Sequence, residues 1–86
     1  HDARSAGAAA VEYIMTGLRL LKGMSLDEME GRLSFRLPSA VMERIGKAAS
    51  DGMVAVDENA GRTVRLTARG IMIADRVIYG IVEPLL

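Results

Sequence analysis

Arg62, Arg65 and Arg69 stand three and four residues apart in RTVRLTARG, a Thr- and Val-rich run that closes on Gly70. A guanidinium is a planar fork of five donors that grips a phosphate or a carboxylate two oxygens at a time. Three of them on an extended run suit a β-hairpin wing laid along a nucleic-acid backbone. They suit equally a strand that faces carboxylates of its own protein, or an anionic small molecule. A second cluster is acidic: Asp27, Glu28 and Glu30 in SLDEME. A carboxylate pair can do acid–base work, but these three follow a Ser and open an apolar-periodic segment. There negative charge complements the helix macrodipole, so capping is the expected role.

Other chemistries are closed to these residues. The 86-residue chain has no cysteine, which removes disulfides, thiolate zinc sites, iron–sulfur ligation and cysteine nucleophiles. The one histidine is His1, so the body of the chain has no imidazole base and no Ser-His-Asp arrangement. His1 reads as a residue left from a tag, and no metal site and no catalytic residue is expected. No Gly-rich loop of the dinucleotide or Walker type occurs.

Eleven Lys and Arg balance 11 Asp and Glu, whereas a domain that grips phosphates usually carries a positive excess. The length fits one domain, and with one Phe, two Tyr and no Trp its core has to be aliphatic. The chain begins without Met and reads as a fragment of a longer protein. The early Ala run is cut by Glu12, so it is no secretory signal. The apolar stretch from Gly70 to Val82 is broken by Asp75 and Arg76 and is shorter than the ~20 residues of a membrane span. A soluble cytoplasmic domain is the expectation.

The elements that would position these groups follow from periodicity. Residues 1–6 read as a flexible tail, with the domain over 7–86. Val11, Ile14, Leu18 and Leu21 predict a helix from Ala8 to Lys22, with Gly23 as its left-handed stop and Gly17 marking a close helix–helix approach. Ser25 and Glu28 form a capping box before a short helix that buries Leu26, Met29 and Leu33. Residues 34–37 are a connector or a very short strand. A third helix spans about Ser39 to Ser50, with Val41, Met42, Ile45, Ala48 and Ala49 inward. Met53 to Val56 and Arg62 to Thr67 are two strands around the turn residues 57–61. Thr67 then caps one last helix with Ile71, Ala74, Ile78 and Val82 on its apolar face. Among the six methionines, Met15, Met29, Met42 and Met72 read as packing residues.

Three helices, a two-stranded wing and a C-terminal helix make a mainly α, winged-helix-like fold with a small β-hairpin. Its recognition helix would be the third. Glu43, Arg44, Lys47 and Asp51 give that helix no net charge, and only Arg44 suits a guanine edge. A nucleic-acid partner is therefore not expected, although a free-standing winged-helix DNA-binding or regulatory module stays open as the alternative.

Two stretches, EYIMTGLRLLKGMSLDEMEGRL and DGMVAVDENAGRTVRLTARGIMIADRVI, resemble the C-terminal domain of the oxygen-independent coproporphyrinogen III oxidase family. The matching residues are Glu12, Gly17-Leu18-Arg19, Gly23 and Leu26, then Gly52, Leu66-Thr67 and Gly70. The resemblance implies a helical, winged-helix-like module packed on an N-terminal radical S-adenosylmethionine barrel of the same polypeptide. That barrel would hold a 4Fe–4S cluster and S-adenosylmethionine, and its reaction would be the oxidative decarboxylation of porphyrinogen propionates. A branch of the family is thought to chaperone heme, and the GLRL…G opening leans toward it. The resemblance makes a tetrapyrrole the ligand to consider, and Arg19, Arg62, Arg65 and Arg69 the candidates to touch its propionates or the barrel.

Overall fold

The computed structural model describes residues 3–86, with side chains from residue 7 onward; His1 lies outside the described residues. Helix α1 (Ala3–Gly17) leads through a coiled turn to a short strand β1 (Met24–Ser25) and helix α2 (Leu26–Leu33). Helix α3 (Ser39–Ser50) follows, then β2 (Val54–Asp57) and β3 (Thr63–Leu66). Two helices, α4 (Ala68–Met72) and α5 (Ala74–Val82), and a 3-10 turn (Glu83–Leu85) complete the chain. The expected mainly helical fold with a small β part is the one observed. Among the described residues no helix is long and apolar enough to cross a membrane.

The wing is a three-stranded antiparallel sheet in the order β1-β3-β2, one strand more than expected. Met24 pairs with Val64 and Ser25 with Thr63, while Val54 pairs with Leu66 and Asp57 with Thr63. Two residues are too few to show a period of two, so β1 has no signature of its own. Its formation also shortens α1. The helix stops at Gly17 rather than Lys22, and Leu20, Leu21 and Lys22 are exposed in the turn that follows. Leu21 keeps helical spacing with Leu18, yet it is 83 % exposed because the chain has already turned toward the sheet.

Two glycines make that turn possible. Gly17 lies against β1, not another helix: a Cβ there would sit 2.7 Å from the Cβ of Met24. Gly23 has φ +77°, and its Cβ would lie 2.2 Å from the carbonyl oxygen of Val64. It is the left-handed residue expected, serving strand pairing rather than a helix end.

The aliphatic core runs through every layer, with Ile14, Leu18, Met29, Val41, Val64 and Ile78 all nearly inaccessible. Burying a side chain of this size contributes about 1.5–3 kcal/mol. Met29 is fully buried and Met42 packs on the core, but Met15 and Met72 are exposed, against expectation. Met24, unassigned by pattern because it belongs to β1, is buried in their place.

The single C-terminal helix expected is broken at Ile73, whose φ −130° and ψ 41° separate α4 from α5. Before the break, Thr67 acts as the N-cap foreseen, accepting from the N–H of Gly70 at 3.1 Å. After it, Val77, Ile78, Ile81 and Val82 face the core. The change of axis turns Ile71 outward, where a continuous helix would have buried it.

Candidate functional site

The wing meets α2 through its own loop. The first-turn N–H groups of Leu26 and Asp27 donate to the carbonyls of Arg62 and Gly61, at 3.1 and 3.2 Å. Ser25 accepts from the N–H of Glu28 at 3.1 Å and donates its hydroxyl proton to Gly61 O at 2.7 Å. A helix start leaves four N–H groups without helical partners, and here the hairpin supplies two of the acceptors. The Glu28 carboxylate does not complete the expected box; it pairs with Arg32 one turn on, at 2.9 Å.

The same contact consumes one candidate arginine. Arg62 donates from Nε to Asp27 at 2.6 Å and from its terminal nitrogen to Glu30. The other oxygen of Glu30 accepts from the N–H of Leu37 at 2.8 Å. The hydrogen bond to Asp27, more than the pairing with Glu30, holds the Arg62 guanidinium above its ordinary pKa against the opposing effect of desolvation. The acidic cluster that reads locally as helix capping is thus also a socket for Arg62, 35 residues away from Asp27.

The other three candidates do not converge with it. Arg19 pairs with Asp75 in the first turn of α5, with the side chains 51 % and 86 % exposed. A pair so well solvated contributes about 0–1 kcal/mol. It lies in a hollow lined by Ile71, Met72 and Ile73. Arg65 is exposed on β3, beside Lys22 and the wing residues Asp57, Glu58 and Asn59. Arg69 is exposed on α4 and approaches Gly52. Among the described residues neither Arg65 nor Arg69 has an ion-pair partner. No group of His, Cys, Asp and Glu among those residues could hold a metal ion.

Arg44, the one residue of the third helix that suits a guanine edge, instead has a structural post. It donates to the carbonyl of Gly80 at 2.8 Å and pairs with Glu83 at 2.9 Å. The cause is Pro84: an α5 carbonyl at position 80 would ordinarily accept from residue 84, and proline has no N–H to give. Pro84 four residues after Gly80 was the available signal. Replacing Arg44 with alanine is expected to cost about 1–2 kcal/mol in urea unfolding. In a Pro84→Ala background the cost should fall, because the alanine N–H then supplies the missing donor.

Residues 5–73 match the family described as the HemN C-terminal domain. The chain belongs to that family. No curated protein and no solved structure matches the chain. The matched HemN C-terminal span reaches Ile73, the residue at which α4 gives way to α5. It includes the family-like positions whose spatial reasons are now evident. Gly17 and Gly23 admit β1, Thr67 caps α4, and Gly70 sits directly under the carbonyl of Met53. The outward face of α3 carries Glu43, Gly46, Lys47 and Ser50, one acid and one base, and the wing tip's Arg62 is neutralised from within. A free-standing DNA-binding module is not favoured by that surface.

Proposed function

We propose that this chain is the accessory C-terminal domain of an oxygen-independent coproporphyrinogen III oxidase-like protein. In this reading it docks on a radical S-adenosylmethionine barrel and helps to shape the tetrapyrrole site, in an oxidase or in a heme-handling relative. The observation that carries the reading is the membership in the HemN C-terminal domain family. The exposed Ile71, Met72 and Ile73, 47, 84 and 40 % accessible at the α4–α5 break, supply an apolar face for docking.

The chain's own residues do not fit a thiolate-ligated iron–sulfur cluster, since it has no cysteine. Such a cluster, S-adenosylmethionine and any heme belong in this reading to the partner domain or to the boundary between the two. Arg65 and Arg69 are the arginines left to meet a propionate or a barrel carboxylate; Arg62 serves the fold, and Arg19 is half committed to Asp75.

The test is anaerobic purification of the native gene product, followed by measurement of its mass and iron content. The expected product is longer than this chain by a catalytic domain and carries iron, which is lost when a cysteine triad in that domain is replaced. A native product no longer than this chain and free of iron overturns the proposal.

A further inference from the structure

Helices α3 and α5 enclose a groove of about 340 Å³ whose apolar floor is made by Ala48, Met53, Ile73, Val77 and Ile81. Its rim is cationic: Arg44, Lys47 and Arg76 line it against a single acid, Asp51. That local excess stands out in a chain with no net charge. Arg44 is engaged by Gly80 and Glu83, and Lys47 approaches Asp51 only to 3.9 Å. Arg76 is exposed and has no ion-pair partner among the described residues. The groove is therefore lined mainly by apolar surface and carries one cation, Arg76, without an ion-pair partner among the described residues.

Gly80 contributes to the same wall. It lies inside α5, where glycine costs about 1 kcal/mol relative to alanine. Unlike Gly17, Gly23 or Gly70, it has no neighbour within 4 Å of where a Cβ would stand. Close packing does not explain it, any more than it explains Gly31 or Gly46, and Gly80 lines the groove with backbone alone.

We propose that the α3–α5 groove is a binding site for an amphiphilic carboxylate, a medium-length apolar chain or body bearing one terminal carboxyl group. The chain lies over Met53, Val77 and Ile81, and the carboxylate meets Arg76 with Lys47 beside it. The volume falls within the range of small-ligand sites, and a planar guanidinium free on an apolar rim is the usual receptor for such a head group. The groove is lined by α3, α5, the residues of the α3–β2 turn and Ile73 at the α4–α5 break, and of these only Ile73 also belongs to the face proposed for docking.

Octanoate is a suitable probe, titrated into the isotopically labelled 86-residue chain and followed by amide and methyl NMR. Saturable shifts at Ala48, Met53, Ile73, Val77 and Gly80 are expected, with a Kd on the order of 1 mM. Octan-1-ol, which lacks the charge, and acetate, which lacks the chain, should each bind about tenfold more weakly or less well still. Arg76→Glu should weaken octanoate about tenfold, and Gly80→Leu should abolish binding while the spectrum stays folded, since the added side chain enters open space. Arg36→Glu, on the exposed connector between α2 and α3, should leave octanoate binding unchanged. Absence of saturable shifts, shifts centred on another face, or equal binding of octan-1-ol would overturn the proposal.

Discussion

Replacing Gly70 with alanine is expected to destabilise the fold by about 3–5 kcal/mol, against roughly 4–13 kcal/mol for a whole domain of this size. In an exposed helix the same change is stabilising by up to about 1 kcal/mol. Here the sign reverses because a Cβ would stand 2.0 Å from the carbonyl oxygen of Met53 and 3.0 Å from its carbonyl carbon. Backbone cannot swing aside as a flexible side chain does. The Met53 carbonyl is moreover held by the Thr67 N–H at 2.9 Å, and the Thr67 hydroxyl donates to the adjoining Gly52 carbonyl at 2.6 Å. Relief requires α4 to lift from the end of β2, which breaks both bonds and opens Leu66 to water. Gly80→Ala is the matched control: same residue, helical setting, and nothing within 4 Å. Urea unfolding followed by circular dichroism should show the Gly70 variant far less stable and the Gly80 variant unchanged or improved. Equal midpoints for the two would sink the argument.

Removing the Arg62 side chain should be the next most damaging change away from the core. Arg62→Ala leaves Asp27 and Glu30 facing one another without their shared cation, Glu30 being only 21 % exposed at its side chain. Breaking a fully buried pair costs about 3–5 kcal/mol; the partial exposure of this one lowers the expectation to about 1.5–3 kcal/mol. Two further measurements isolate the cause. Glu30→Gln should cost much less in the Arg62→Ala background than alone, a coupling of about 1 kcal/mol. Arg62→Gly should be about 1 kcal/mol milder than Arg62→Ala, because Arg62 has φ 54° and glycine adopts that conformation without strain.

The raised pKa of Arg62 fixes the sign of its pH dependence. Its stabilisation is fully present below the ordinary arginine range and is lost only as pH rises through the still higher folded value. No loss from this guanidinium is expected between acid and mildly alkaline pH. An additive cycle, or an Arg62→Gly variant as unstable as Arg62→Ala, would show that the ion cluster and the left-handed backbone are not what holds the wing to α2.

Several features were legible because their determinants are close in sequence. The bounds of α3, the Ser25 and Thr67 caps, the turn ahead of Arg62 and the aliphatic core all rest on residues within a few positions of one another. There local hydrogen bonding and side-chain period act directly. The resemblance to the family also rested on glycines and caps of this kind. The four candidate arginines were visible as charge, but their fates were not. Asp27 and Arg62 are 35 residues apart, Arg19 and Asp75 are 56, and no local spacing joins them. Arg44 lay in view with Pro84, yet only the packing of α5 on α3 brings the guanidinium to the carbonyl that Pro84 leaves without a donor.

By itself the amino-acid order determined a mainly helical module with a wing, no cysteine chemistry and no positive excess. Those properties are sums over residues or patterns within one element. The tertiary structure decided where α1 stops, that Met24 and Ser25 become a strand, and that the last helix breaks at Ile73. It also decided which arginines stay exposed. Leu21 and Ile71 show the reason: each keeps the spacing of a buried helical residue, and each is exposed because the pairing of β1 with β3, or the seating of α4 on Met53, outweighs the local period.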